Sequence, residues 1–185
     1  FLNKHNETLL QICLNNENNI IIDFLLEKEL SKQYINNQES EYGLAAIHQC
    51  IVLNQNDYAF KLIELGGDYN ISDYIGNTSF HYGIIENNYD YIEHILQFDN
   101  LSYNMSNLQG DTPLHLYLNK PEVNDTIFEL ENRGKYSYDA ILLKMIENTN
   151  LNIMNNKGIT SLHLLIELDL WKVKKIQDIL TNGKK

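Results

Sequence analysis

The sequence predicts an all-α fold: a solenoid of about five stacked helix-turn-helix units joined by β-turn fingers. Three observations predict it. A short phrase built around a glycine and ending in an apolar residue and a histidine recurs along the chain, with glycines at 43, 76 and 110, which are 33 and then 34 residues apart. Between the phrases lie short apolar segments with helical spacing, each closed by a turn rich in Asn and Gly. Hydrophobic residues make up 43% of the 185 residues, and proline occurs only twice, so a packed core is within reach and long proline-rich linkers are excluded.

Each element follows in order. The first unit, roughly 3–38, opens on a degraded phrase, Asn3 to Cys13, in which Asn6 takes the place of the glycine and Gln11 that of the histidine. Residues 28–39 lengthen the loop behind it. The second unit, 40–72, opens with Ser40 to His48 around Gly43, and its second apolar segment (Phe60, Leu62, Ile63) runs into Gly66-Gly67-Asp68-Tyr69-Asn70. The third, 73–106, opens with Asp73 to His81 around Gly76 and closes after Ile92, Ile95 and Leu96 on Asn100 to Asn104. The fourth, 107–154, opens with Asn107 to His115 around Gly110. The next glycine, Gly158, comes 48 residues later, so the unit holds an insertion of about fifteen residues, placed at 121–135. The last unit, 155–185, opens with Asn155 to His163 and has no clear closing turn, which makes it a cap or a truncated copy.

The chemistry of each position fits. Glycine permits a turn with positive φ, so Gly76→Val is expected to strain the finger and weaken the stack. A following Thr or Ser supplies an oxygen to the open N–H groups of a helix start, and Pro113 sits in a first turn where its missing N–H costs nothing. Two positions after the histidine the packing wants a small residue; Cys13, Cys50 and Gly83 comply, while Tyr117 and Leu165 do not.

These phrases resemble the ankyrin repeat, whose motif reads D-x-x-G-x-T-P-L-H-x-A, then a second helix, then G-A-D-x-N. Asp111-Thr112-Pro113-Leu114-His115 matches its core, and Gly66-Gly67-Asp68-Tyr69-Asn70 matches the closing turn with one change. The resemblance spans nearly the whole chain and implies a single ankyrin-repeat domain, 1–185, that binds another protein without catalysis. Shorter phrases resemble narrower groups. Residues 47–55 are similar to the second unit of IκB-type inhibitors, and residues 114–118 to poxvirus ankyrin proteins, while irregular insertions also occur in fungal cell-cycle regulators. The alternative reading is therefore a regulatory ankyrin domain of a larger protein (a transcription or cell-cycle regulator, an IκB-like chain or a viral host-interaction protein), docking within its own chain. The start at Phe1 rather than Met is in keeping with that.

The formal net charge of -11 repels phosphates and argues against direct nucleic-acid binding across a broad face. Basic residues gather at Lys172, Lys174, Lys175, Lys184 and Lys185, read as a solvated helix face and tail. Cys13 and Cys50 form neither a metal-spaced pair nor a disulfide framework, so a reducing, intracellular compartment, cytoplasmic or nuclear, is the simple expectation. The six N-x-S/T sequons are what an Asn-rich chain makes by chance. No apolar run approaches the ~18 residues of a membrane span.

His48, His81, His115 and His163 recur at the repeat period, which marks them, like Gly43, Gly76, Gly110 and Gly158, as architecture. Their imidazoles are expected to bond neighbouring backbone and tie unit to unit. Copies about 10 Å apart, one helix-pair layer, are too distant to share a metal. The two cysteines fall in the small-residue slot and are expected to be buried and inert. No enzyme frame, metal site or cofactor site is expected, and no small-molecule substrate. The resemblance places the partner surface at the finger tips and the inner helix face. There the residues are Tyr42 and Leu44, Tyr74 and Ile75, Leu108 and Gln109, followed by a concave layer with Val52, Leu53, Ile85 and Glu86. Exposed aromatic and aliphatic groups in a row suit an interface, and an acidic rim favours a partner with positive charge.

Overall fold

The computed structural model describes residues 2–29, 32–121, 123 and 137–182. The predicted insertion at 121–135, apart from Pro121 and Val123, lies outside these residues, as do Lys184 and Lys185. Two compact units divide the chain, Phe1–Ile95 and Leu96–Lys185.

The first unit holds three helix pairs: α1 (Leu9–Asn15) with α2 (Asn19–Glu27), α3 (Ala46–Val52) with α4 (Asn56–Glu64), and α5 (Ser79–Ile85) with α6 (Tyr89–Ile95). In the second are α7 (Pro113–Leu118), α8 (Ser137–Asn148), α9 (Ser161–Glu167) and α10 (Lys174–Asn182). The described residues contain isolated β-bridges within the fingers but no named strand, so the fold is all-α, as the sequence predicts.

A repeated device starts the first helices of the pairs. The Oγ1 atoms of Thr8, Thr112 and Thr160 accept from the backbone N–H three residues on, at 3.1, 3.4 and 3.2 Å. The side chain at that third position reaches back. Nδ1 of His48, His81, His115 and His163 accepts the N–H of Ala45, Thr78, Thr112 and Thr160 at 3.0–3.2 Å. An accepting Nδ1 leaves the proton on Nε2, which faces the Ile71 carbonyl from His48 (2.9 Å) and the Ile159 carbonyl from His115 (3.2 Å). Gln11 does the same with an amide: Oε1 accepts from Thr8 N–H, and Nε2 donates to Leu44 O at 2.8 Å. The expected tie between units is present from His115 to Ile159 and, in the first unit, from Gln11 to Leu44, through a residue that is not histidine, whereas Ile71 lies at the end of the unit that His48 itself belongs to. His163 is exposed.

The turn into the second helix is also repeated. Glu17, Asn54 and Asn87 have positive φ, and the next residue's N–H bonds back to the carbonyl of Cys13, Cys50 or Gly83 at 2.8–2.9 Å. The small-residue slot thereby lies against the second helix. A Cβ on Gly83 would stand 3.1 Å from Ile92 and 3.2 Å from Tyr91. Leu14, Ile22, Leu26, Ile47, Ile51, Leu62, Phe80, Ile84, Tyr91 and Ile92 fill the core of the first unit; Leu114, Leu118, Ile141, Met145, Leu165 and Ile176 are buried in the second. Tyr91 donates to Ser79 Oγ (2.7 Å), which donates to Tyr69 O (2.6 Å), so these two buried hydroxyls are satisfied.

Candidate interaction surface

Each finger is shaped by one side chain at its base. Asn3, Asp73, Asn107 and Asn155 each accept, through Oδ1, the N–H groups two and four residues ahead, at 2.8–3.0 Å. The turn then passes through positive φ at Asn6, Gly76, Gly110 and Gly158. In the second finger the sequence aligns Ser40 with these heads, but the structure gives the role to Glu39. This finger has one residue more, and the longer side chain spans it. Glu39 Oε1 accepts from Tyr42 and Leu44 (2.8 and 2.9 Å) and Oε2 from Glu41 (2.6 Å). Burial pushes the Glu39 carboxyl up, but the backbone donors outweigh it and hold the pKa below the ordinary glutamate value. Ser40 instead bonds the neighbouring finger, donating to His5 O from both N–H and Oγ at 2.9 Å.

Fingers are joined in the same manner elsewhere. Tyr74 N–H donates to Tyr42 O, and Asn156 N–H to Gln109 O, both at 2.9 Å. In the first unit this brings four predicted residues together. Tyr42 is 60% exposed, Tyr74 57% and Ile75 47%, while Leu44 is half-buried. One face of the Tyr74 ring lies on Gly43, where a Cβ would come within 2.4 Å of the ring. Ile85, Val52 and Leu53 are exposed at the ends of α5 and α3, beside exposed Glu86. In the second unit, Leu108 is 64% exposed and Gln109 is exposed, with Leu108 O accepting from Asn156 Nδ2 at 2.7 Å.

Tyr42, Leu44, Val52 and Leu53 line a groove of about 260 Å³ together with Glu7, Asn15, Glu39, Glu41 and Gln49. Sequence reasoning missed Glu7, Asn15, Glu39, Glu41 and Gln49 as residues of this groove. The available signal was register: Glu7 stands one after the Asn6 turn position, as Leu44 stands one after Gly43. A second, more polar hollow, of about 510 Å³, lies at the starts of α2 and α4 among Asn19, Asp23, Gln55 and Asp57.

Other candidate groups fall to structure. Cys13 and Cys50 are buried and unpaired, and burial pushes both thiols up, which opposes thiolate formation. Burial holds His48 and His115 below the ordinary histidine value, against the opposing pull of their carbonyl partners. Lys172 pairs with Asp169 and Lys174 with Asp178, both at 2.9 Å on exposed helix surface. No helix among the described residues is long and apolar enough to cross a membrane.

No protein-family model matches the chain. An ankyrin repeat protein of Acanthamoeba polyphaga mimivirus is 27% identical over 175 aligned positions, covering 78% of this chain. The chain spans about a fifth (21%) of that relative's length. A crystal structure of an ankyrin repeat domain from Acinetobacter baumannii superposes with a TM-score of 0.71 at 15% identity, covering 99% of this chain and 84% of that one. The recurring motif, the sequence match to a viral ankyrin repeat protein and the superposition on the bacterial domain agree, and this chain has the ankyrin-repeat fold.

Proposed function

We propose that this chain is a non-catalytic interaction module that binds another protein through its finger tips and inner helix faces. The observation that supports this best is the set of large apolar side chains left in solvent at the tips, Tyr42, Tyr74, Ile75 and Leu108, backed by Ile85 and Glu86. Such groups enter an interface core at little ordering cost because the backbone beneath them is already held by the finger bonds. Half-buried Leu44 in the first unit and exposed Gln109 in the second belong to the same reading, each within its own unit. Binding is an equilibrium with no covalent step, and the compartment is a reducing one, in keeping with two buried free thiols.

The test is capture from native extract on the immobilised chain, beside a variant carrying Tyr74→Ala and Ile75→Ala. A partner held by the wild type and lost by the still-folded variant is the expected result. A partner held equally by both would remove the tips from the reading. Because the chain spans a fifth of its viral relative, a second reading is a regulatory ankyrin domain that docks on another part of a longer protein. Capture of a segment from the parent chain in place of a separate protein would favour that version.

A further inference from the structure

We propose that the groove between the first two helix pairs is a subsite for one arginine side chain of the partner protein; this rests on the reading of the chain as a protein-binding module. Its volume, about 260 Å³, is below the roughly 300–1,000 Å³ of pockets that enclose a whole small molecule, and suits one long side chain. The lining has two parts. Leu44, Val52, Leu53 and the Tyr42 ring offer apolar surface to an aliphatic stem, while Glu7, Glu39 and Glu41 bring negative charge and, among the described residues, no lysine, arginine or histidine lines the groove to offset it.

The carboxylates are not equivalent. Glu39 is occupied by the backbone N–H groups of its own finger. Glu7 is engaged through one oxygen only, Oε2, which accepts from Asn3 Nδ2 at 2.7 Å. Glu41 is exposed beside the Tyr42 phenol, whose pKa it raises. The independent observation is Gln49. It stands in the groove wall, 5% exposed, and its Oε1 makes no hydrogen bond. A buried acceptor with no donor is costly, and the last torsion of a glutamine side chain is soft enough to turn it toward an incoming group. A guanidinium brings five N–H donors in a planar fork, enough to meet Gln49 Oε1 and the Glu7 and Glu41 carboxylates together, whereas a neutral side chain cannot satisfy that set.

The experiment titrates N-acetyl-arginine amide into the full 185-residue chain, followed by nuclear magnetic resonance at the Gln49 side-chain amide and the Leu44 and Leu53 backbone amides. Saturable shifts at those signals are expected, with N-acetyl-citrulline amide, similar in shape but uncharged, binding about tenfold more weakly. Glu7→Gln with Glu41→Gln, neither of which heads a finger, should bring the arginine probe to the citrulline level with the spectrum otherwise unchanged. Equal binding of the two probes, or absence of shifts at the groove, would overturn the proposal. A lysine probe bound as tightly as arginine would also overturn it, since the fork would then be irrelevant. In the capture experiment, a partner lost with Tyr74→Ala/Ile75→Ala yet kept by Glu7→Gln/Glu41→Gln would leave the binding function standing and remove the arginine site.

Discussion

At the scale of single residues, histidine and glycine each do a job that another residue can be asked to do. The slot filled by His48 and His115 needs an acceptor toward the N-cap and a donor toward a neighbouring carbonyl, and Gln11 shows that a neutral amide supplies both. The difference is titration. Burial lowers the folded pKa of His48 and His115, so the unfolded chain binds protons more readily. Their contribution to stability is therefore complete above the unfolded value of about 6.5 and is lost as pH falls toward the folded value. The thermal midpoint should drop between about pH 7.5 and about pH 5.5, above the range where ordinary carboxylates titrate. His48→Gln with His115→Gln should keep the midpoint at the upper pH and flatten that drop; a wild-type midpoint that does not move across the window would refute the assignment. Glycine offers a second comparison. Gly110 and Gly158 share φ near +75°, yet a Cβ on Gly158 meets nothing nearer than Met154 Sδ at 4.0 Å, while one on Gly110 comes within 2.8 Å of the Asn155 and Asn156 backbone. Gly158→Ala should cost about 1–2 kcal/mol for the left-handed turn alone. Gly110→Ala should cost clearly more, because backbone must move as well; equal losses in urea denaturation would contradict the finger contact.

At the scale of elements, the repeated helix start has one copy with no threonine. Thr8, Thr78, Thr112 and Thr160 occupy a buried slot that holds Ala45 in the second finger. Ala45 has no side-chain oxygen, and His48 closes only the reverse half of the cap. Ala45→Thr should raise stability by about 0.5–2 kcal/mol, measured by urea denaturation, since four other copies show that the slot admits threonine. No gain would mean that the extra residue in this finger has displaced the Thr hydroxyl from the α3 N–H groups. The same finger shows where legibility in the sequence ended. Its glycine and its histidine were readable from the repeat, but the head was not, because alignment counts residues and the structure counts reach. One added residue and one added methylene cancel, and Glu39 does what Asp73 and Asn107 do.

At the scale of the molecule, charge and stability separate. The net charge is -11, yet the ion pairs of the described residues, Lys32–Glu29, Lys172–Asp169 and Lys174–Asp178, are exposed and lie within three or four residues of each other. Pairs of this kind contribute about 0–1 kcal/mol, so added salt should leave the thermal midpoint nearly unchanged. Association with a partner of positive charge should behave differently, slowing as ionic strength rises because the screening length shrinks to about 8 Å at 0.15 M. Association rates measured by surface plasmon resonance that ignore salt would remove charge from the description of the partner.

Legible along the chain were the repeat, its register, the all-α class, the four glycine turns and the backbone-bonding slot of the histidines. All of these depend on local rules: which residues tolerate positive φ, which cap a helix, and at what period apolar groups recur. The sequence also named the exposed tips, because a turn of known shape sets which side chains point away from it. How neighbouring fingers and helices combine depends on packing between residues far apart in sequence. The Glu7, Glu41 and Gln49 side chains sit 34 and 42 residues apart from the first to the second and third, and no local rule places them around one groove. Nor does composition reveal that Gln49 Oε1 lacks a donor, since hydrogen-bond satisfaction is a property of packed neighbours. Recurrence is written along the chain, whereas a binding surface is made across it.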